Sequence, residues 1–152
     1  MAVAPDYQRR GIGTELFRYT LNKFRSQMPD SVGLLLEIQR EEKHDPRERQ
    51  IREDRIRFYT KLGAKVLAGV HYLLPPQHGR QPEEMYLMIV PLKKIRYVSK
   101  DTLVEYIRDI HSNVYQYESD DLLEAAVRRM PKMIRLSDVI LTPQTQTEPV
   151  SK

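Results

Sequence analysis

Near the start of the chain, Gln8-Arg9-Arg10-Gly11-Ile12-Gly13-Thr14 combines the residue types an anion site needs. The stretch reads as the end of a strand around Val3, a glycine-punctuated turn and the first turn of an amphipathic helix. The leading N–H groups of a helix have no partner within it, and the aligned peptide dipoles place partial positive charge there. Gly11 and Gly13 remove side chains that would hold a phosphate away from those donors, and Arg9 and Arg10 add charge at the rim. The expected ligand is a phosphate-bearing cofactor.

Spacing narrows the choice. A dinucleotide fingerprint needs a third glycine where this chain has Leu16, and a nucleotide-triphosphate loop needs a Gly-Lys-Ser/Thr that is absent. An ordinary strand-to-helix turn with glycines for tightness is the competing reading. Elsewhere, Glu37 is the one carboxylate inside the apolar run Val32–Ile38. It is a candidate general base, set against the plainer reading of a strand-end glutamate facing solvent. His44, His71, His78 and His111 have no metal-binding spacing, and no metal is expected. No local signature suggests a Ser-His-Asp arrangement.

These residues need elements to hold them. Ile12, Leu16, Phe17, Thr20, Leu21 and Phe24 recur at helical spacing, so a first helix follows the turn. Pro29-Asp30-Ser31 breaks it, and Val32–Ile38 reads as a strand buried on both faces, as in a parallel sheet. Strand, helix and strand form a right-handed crossover, with ligands at the carboxyl ends of the strands. A charged loop containing Pro46 leads into a second helix from about Arg47, with Ile51, Phe58 and Leu62 on one face and Ile56 and Tyr59 beside it. Gly63 is its stop. Val66–Leu74, crossed by Gly69, and Met85–Val90 are expected to pair as an antiparallel hairpin around the Pro75–Pro82 loop. Beyond them, Leu103, Ile107, Ile110 and Val114 mark an amphipathic helix. Ser119 caps another through Met130, interrupted by Pro131.

The chain of 152 residues has room for one domain with a core, and its 40% hydrophobic and 30% charged content is ordinary for a globular protein. Without cysteine, disulfide scaffolds, thiolate metal sites and cysteine nucleophiles are excluded, and a cytoplasmic location is the default. No apolar run is long enough for a membrane span, and no signal peptide is recognised. The net charge of +4 favours anionic ligands. Nucleic acid is not favoured, because the basic residues lack aromatic interleaving and a reading motif.

Two segments together resemble the GNAT-family N-acetyltransferases. Gln8-Arg9-Arg10-Gly11-Ile12-Gly13 matches that family's Gln/Arg-x-x-Gly-x-Gly/Ala turn. Arg55–Ala64, with Phe58-Tyr59, Gly63 and Ala64 in order, matches its second signature, where a helix runs into the next strand. The resemblance covers about Met1 to Val90. It implies an α/β (α+β) fold of the GNAT-like acyl-CoA N-acyltransferase type, with two parallel strands splayed around acetyl-CoA. It also implies direct acetyl transfer to an amine, without a covalent enzyme intermediate.

Carried over by position, the resemblance implies that Gln8, Arg9, Arg10, Gly11, Ile12, Gly13 and Thr14 line the pyrophosphate. The backbone at Val3 pairs with the pantetheine arm and polarises the thioester. Tyr59 protonates the leaving thiolate; a core tyrosine with its hydroxyl at the rim is the alternative. Phe58 belongs to the core. Two positions depart from the family pattern: Arg52 stands where asparagine often touches the coenzyme, and Arg55 where a small residue is usual. Arg52 is expected to meet a coenzyme phosphate instead. In this architecture Tyr72, together with His78-Gly79-Arg80, borders the acceptor site, with packing as the other role for Tyr72.

The chain opens inside the strand that carries the thioester contact, so it reads as a GNAT domain truncated at its N-terminus. Residues 1–95 are the partial acetyltransferase domain, 96–141 a C-terminal helical extension and 142–152 a disordered tail. Acceptors remain open between an amine-bearing small molecule and a peptide or protein amine, and a homodimer is also open. The alternative function is a non-catalytic, degenerate GNAT-like interaction module.

Overall fold

The structure is a computed structural model that describes residues 5–7, 10–42, 45–77 and 79–141. Expectations for Val3, Gln8, Arg9, His44, His78 and the 142–152 tail lie outside these residues. After a 3-10 turn at Pro5–Tyr7 come α1 (Ile12–Gln27), β1 (Gly33–Gln39), α2 (Pro46–Lys61), β2 (Lys65–Leu67) and β3 (Tyr72–Leu74). They are followed by β4 (Glu83–Pro91), β5 (Tyr97–Ser99), α3 (Lys100–Asp109), α4 (Asp121–Arg128) and β6 (Met133–Ser137).

Local chemistry sets the boundaries. The Asp45 carboxylate accepts the Arg47 N–H at 3.0 Å and Pro46 takes the first helical position, so α2 starts where its missing donor costs nothing. Ser99 caps α3 through the Thr102 N–H. Lys100 then reaches across to the Val127 carbonyl at the end of α4, at 2.9 Å.

The sheet runs β1-β4-β2-β6-β5, with β3 also on β4. β4 is its centre: β1 lines one edge from Gly33↔Pro91 to Gln39↔Met85, while β2 and β3 share the other as two halves of an interrupted strand. The expected antiparallel hairpin is therefore present, broken where Gly69 takes a positive φ.

Two expectations are corrected here. Every strand pair among the described residues is antiparallel, and β1 is half-buried except at Ile38, not buried on both faces. The parallel partner expected for β1 falls at Met1–Ala4, outside the described residues. Residues 96–141 are more than a helical extension. They add β5 and β6, and β6 pairs with β2 at Val66↔Ser137 and Leu67↔Leu136, so the sheet continues into this segment.

Two apolar layers cover the sheet. Phe17 and Leu21 of α1 and Ile56 of α2 pack with Ile38, Met88 and Val90 on one face. Leu103 and Ile107 of α3 and Leu123 and Ala126 of α4 pack with Tyr72, Leu87, Ile89 and Ile134 on the other. No helix among the described residues is long and apolar enough to cross a membrane.

Candidate functional site

Gly11 begins α1 in the left-handed region, φ 79° and ψ −7°, and its carbonyl accepts the Glu15 N–H at 3.0 Å. A side chain at this φ is strained, which accounts for the glycine although a Cβ there would meet nothing within 4 Å. No side chain among the described residues caps this helix. The amides of Ile12, Gly13 and Thr14 are thus without a side-chain cap among the described residues, and a helix start of this kind attracts an anion. Arg10 stands at the rim, its guanidinium 5.6 Å from the centre of the Tyr7 ring.

Tyr59 lies in the last turns of α2 and packs edge-on against Phe17 of α1, with ring centres 5.4 Å apart. It is half-buried at the margin of the apolar layer, and its hydroxyl has no hydrogen-bond partner among the described residues. Phe58, expected in the core, is itself only half-buried and rests against the Tyr59 ring at 5.1 Å. The inward face of α2 is Arg52, Glu53, Ile56 and Tyr59, whereas Ile51 points to solvent. The apolar residues alone had suggested a face centred elsewhere.

Arg52 is the clearest correction. It is 6% exposed, and its guanidinium donates to Glu48 at 3.0 Å, to Glu83 at 3.2 Å and to the Arg40 carbonyl at 3.0 Å. These partners tie α2 to the end of β1 and the start of β4, and the unpaired Nε is buried, so Arg52 presents no exposed fork to a coenzyme phosphate. Arg55 donates to Gln39 at 3.0 Å.

Glu37 has a different setting from the solvent-facing one. Successive strand residues point to opposite faces, so Glu37 shares the α3 side of β1 with Leu35, while Ile38 faces α1 and α2. One Glu37 oxygen accepts the Tyr72 hydroxyl, and the other accepts the Tyr115 hydroxyl at 2.5 Å. Burial, reinforced by the hydrogen bond to Glu37, raises the ionisation of both phenols above the ordinary tyrosine range. Tyr72, expected at the border of the acceptor site, is 0% exposed. It holds Glu37 from below and offers no surface to an acceptor. Arg80 and His71 are exposed, His71 against Glu84 at 3.0 Å.

Tyr115 and His111 did not emerge as site residues from the sequence. After Asp109 the helix widens into a π-turn, Ile110–Val114, closed by Tyr115 N–H to the Ile110 carbonyl at 3.2 Å. The extra residue in that turn shifts the helical phase. His111 continues the inward step from Leu103 and Ile107 and is 3% exposed, while Val114, at the far end of the shift and expected on the buried stripe, is 66% exposed. The His111 ring lies 5.7 Å from that of Tyr72 and 6.1 Å from that of Tyr117. Neither ring nitrogen has a hydrogen-bond partner among the described residues. Burial lowers the His111 pKa, opposed by the charges of Glu37 and Asp121. The one sequence sign of its position is the four-residue step from Leu103 to Ile107 to His111.

Tyr59 and Glu37 thus stand on opposite sides of β1, with the α1 mouth on the Tyr59 side. No group of three or more His, Asp or Glu among the described residues is placed to hold a metal ion.

Residues 1–64 match the family model for the acetyltransferase (GNAT) family. The comparisons with curated proteins and with solved structures gave no match. The matched segment contains both sequence signatures, α1, β1 and α2. The mixed helix and sheet architecture is consistent with the same fold.

Proposed function

With residues 1–64 taken as part of a GNAT-family acetyltransferase, we propose that the chain binds acetyl-CoA at the mouth of α1 and transfers its acetyl group to a primary amine. The observation that carries this reading is the uncapped α1 start at left-handed Gly11, with Tyr59 packed on the same helix through Phe17.

In this reading the amides of Ile12, Gly13 and Thr14, flanked by Gln8, Arg9 and Arg10, hold the pyrophosphate. The backbone at Val3 steadies the pantetheine arm and the thioester. The amine nitrogen attacks the thioester carbonyl carbon, so a C–N bond forms and the C–S bond breaks. Glu37 accepts the proton shed by the amine. Its two phenol bonds occupy one acceptor position on each oxygen, and each oxygen retains another. Tyr59 gives its proton to the departing thiolate from the other side of β1. Holding amine and thioester together supplies most of the rate, and the acid and base add to it.

The test is thiol release from acetyl-CoA in the presence of primary amines. Glu37→Gln and Tyr59→Phe are each expected to lower kcat about 100-fold while leaving acetyl-CoA affinity within about twofold. Release at the parent rate in both variants, or none from the parent chain, overturns the reading.

A further inference from the structure

A cavity of about 820 Å³ opens along β1, between the C-terminal turns of α1 and the π-turn after α3. Its walls are apolar: Phe24 and Met28 from α1 and its end, Leu34 and Leu35 from β1, Ile110 and Val114 from the π-turn. Met28 is 52% and Val114 66% exposed, so apolar side chains stand in water at its opening. The volume is that of a site for a small organic molecule.

Asp30 and Asp109, both exposed, stand at the rim of the cavity, and neither forms an ion pair among the described residues. Lys93 stands beside Asp30, its ammonium donating to the Asp30 carbonyl oxygen at 3.1 Å. An apolar floor with acidic groups at its edge attracts a molecule that is apolar in body and cationic at one end. It repels a carboxylate or phosphate.

Glu37, assigned above as the base, lies outside the lining of the cavity but on the strand that forms its wall. Leu35 and Glu37 are on the same face of β1, two residues and about 7 Å apart. Val114 directly precedes Tyr115, whose hydroxyl holds Glu37 at 2.5 Å. We infer that this cavity seats the acceptor, a primary amine carried on an apolar body. The inference rests on the acetyl-transfer reading for its chemistry. The ammonium is drawn in by the charge of Asp30 and Asp109 and gives up one proton to water, the body lies on Leu35, Ile110 and Val114, and the free amine nitrogen is directed along β1 toward Glu37, which takes the proton shed on attack.

Titration calorimetry with hexylamine, hexanol, hexanoate and ethanolamine tests it on the whole chain, with acetyl-CoA titrated separately into the same samples. Hexylamine is expected to bind at least about tenfold more tightly than the other three, from the loss of either the charge or the apolar contact. Val114→Lys, at an exposed position that tolerates the change, is expected to weaken hexylamine about tenfold, and Asp109→Asn several-fold. Hexanol or hexanoate binding as well as hexylamine, or Val114→Lys without effect, overturns the inference. Hexylamine bound without acetyl-CoA defeats the acetyl-transfer reading and leaves the amine site standing. Acetyl-CoA bound without hexylamine does the reverse.

Discussion

Arg52 is anchored by three partners within its own chain, and that decides what its removal should do. Truncating a buried cation strands Glu48, Glu83 and the Arg40 carbonyl, which costs about 3 kcal/mol in comparable buried pairs. Glu48 and Glu83 are themselves partly exposed, so the value here falls at or below that figure. Arg52→Ala should therefore lower stability in urea unfolding while changing acetyl-CoA affinity less than twofold. A tenfold affinity loss with stability intact would restore the phosphate role. The residue type at position 52 was legible in the sequence, but its partners were not. Glu83 lies 31 positions away and meets Arg52 only because β4 runs beside β1. Gly11 was legible for the opposite reason, since its conformation is set within the turn itself.

The elements with strong local signals formed where the sequence put them. The second helix, expected from about Arg47, starts at Pro46, and its stop at Gly63 is chemistry of neighbours; the Asp45 and Ser99 caps are equally local but were not read from the sequence. The π-turn after α3 has no such signal, so the stripe through Ile110 and Val114 was continued one phase too far. Strands β5 and β6 were missed for a related reason. They are short, and only the alternation of Ile134 inward and Arg135 outward marks β6.

The burial of His111 in the π-turn has a measurable consequence. Below pH 6.5 the unfolded chain takes up a proton on this histidine that the folded chain resists, because burial lowers its folded pKa. Its contribution to stability is present above pH 6.5 and is lost as pH falls through the folded value, by at most about 1.4 kcal/mol per pH unit. Glu37 of β1, Asp121 of α4 and the rings of Tyr72 and Tyr117 surround it, and the two carboxylates reduce the loss without reversing it. His111→Phe keeps the ring and removes the titration. Urea unfolding at pH 5 and pH 8 should show a smaller pH difference in the variant than in the parent. An equal difference would mean that His111 titrates alike in both states.

At the scale of the molecule, the sheet joins what the sequence seemed to divide. Leu103, Ile107 and Ile134 lie in the same apolar layer as Tyr72, Leu87 and Ile89, and β6 pairs with β2. Residues 1–95 alone should therefore expose that layer and unfold without a cooperative transition. A sharp urea transition for the 1–95 segment would show instead that the first part is an independent unit. The two-sided sheet also fits the separate steps proposed for Tyr59 and Glu37. β1 separates them, and a thioester beside that strand would have the phenol on one side and the carboxylate on the other.

The central claim is that the amides at the start of α1 hold the diphosphate of acetyl-CoA, and calorimetric titration of acetyl-CoA onto the parent chain and Gly11→Asp tests it most directly. A carboxylate at position 11 sets a like charge in the mouth and strains a backbone held at φ 79°. Saturable binding by the parent, weakened at least about tenfold in Gly11→Asp at low ionic strength, is the predicted result. Equal affinity in the two chains, with both folded by circular dichroism, would contradict it.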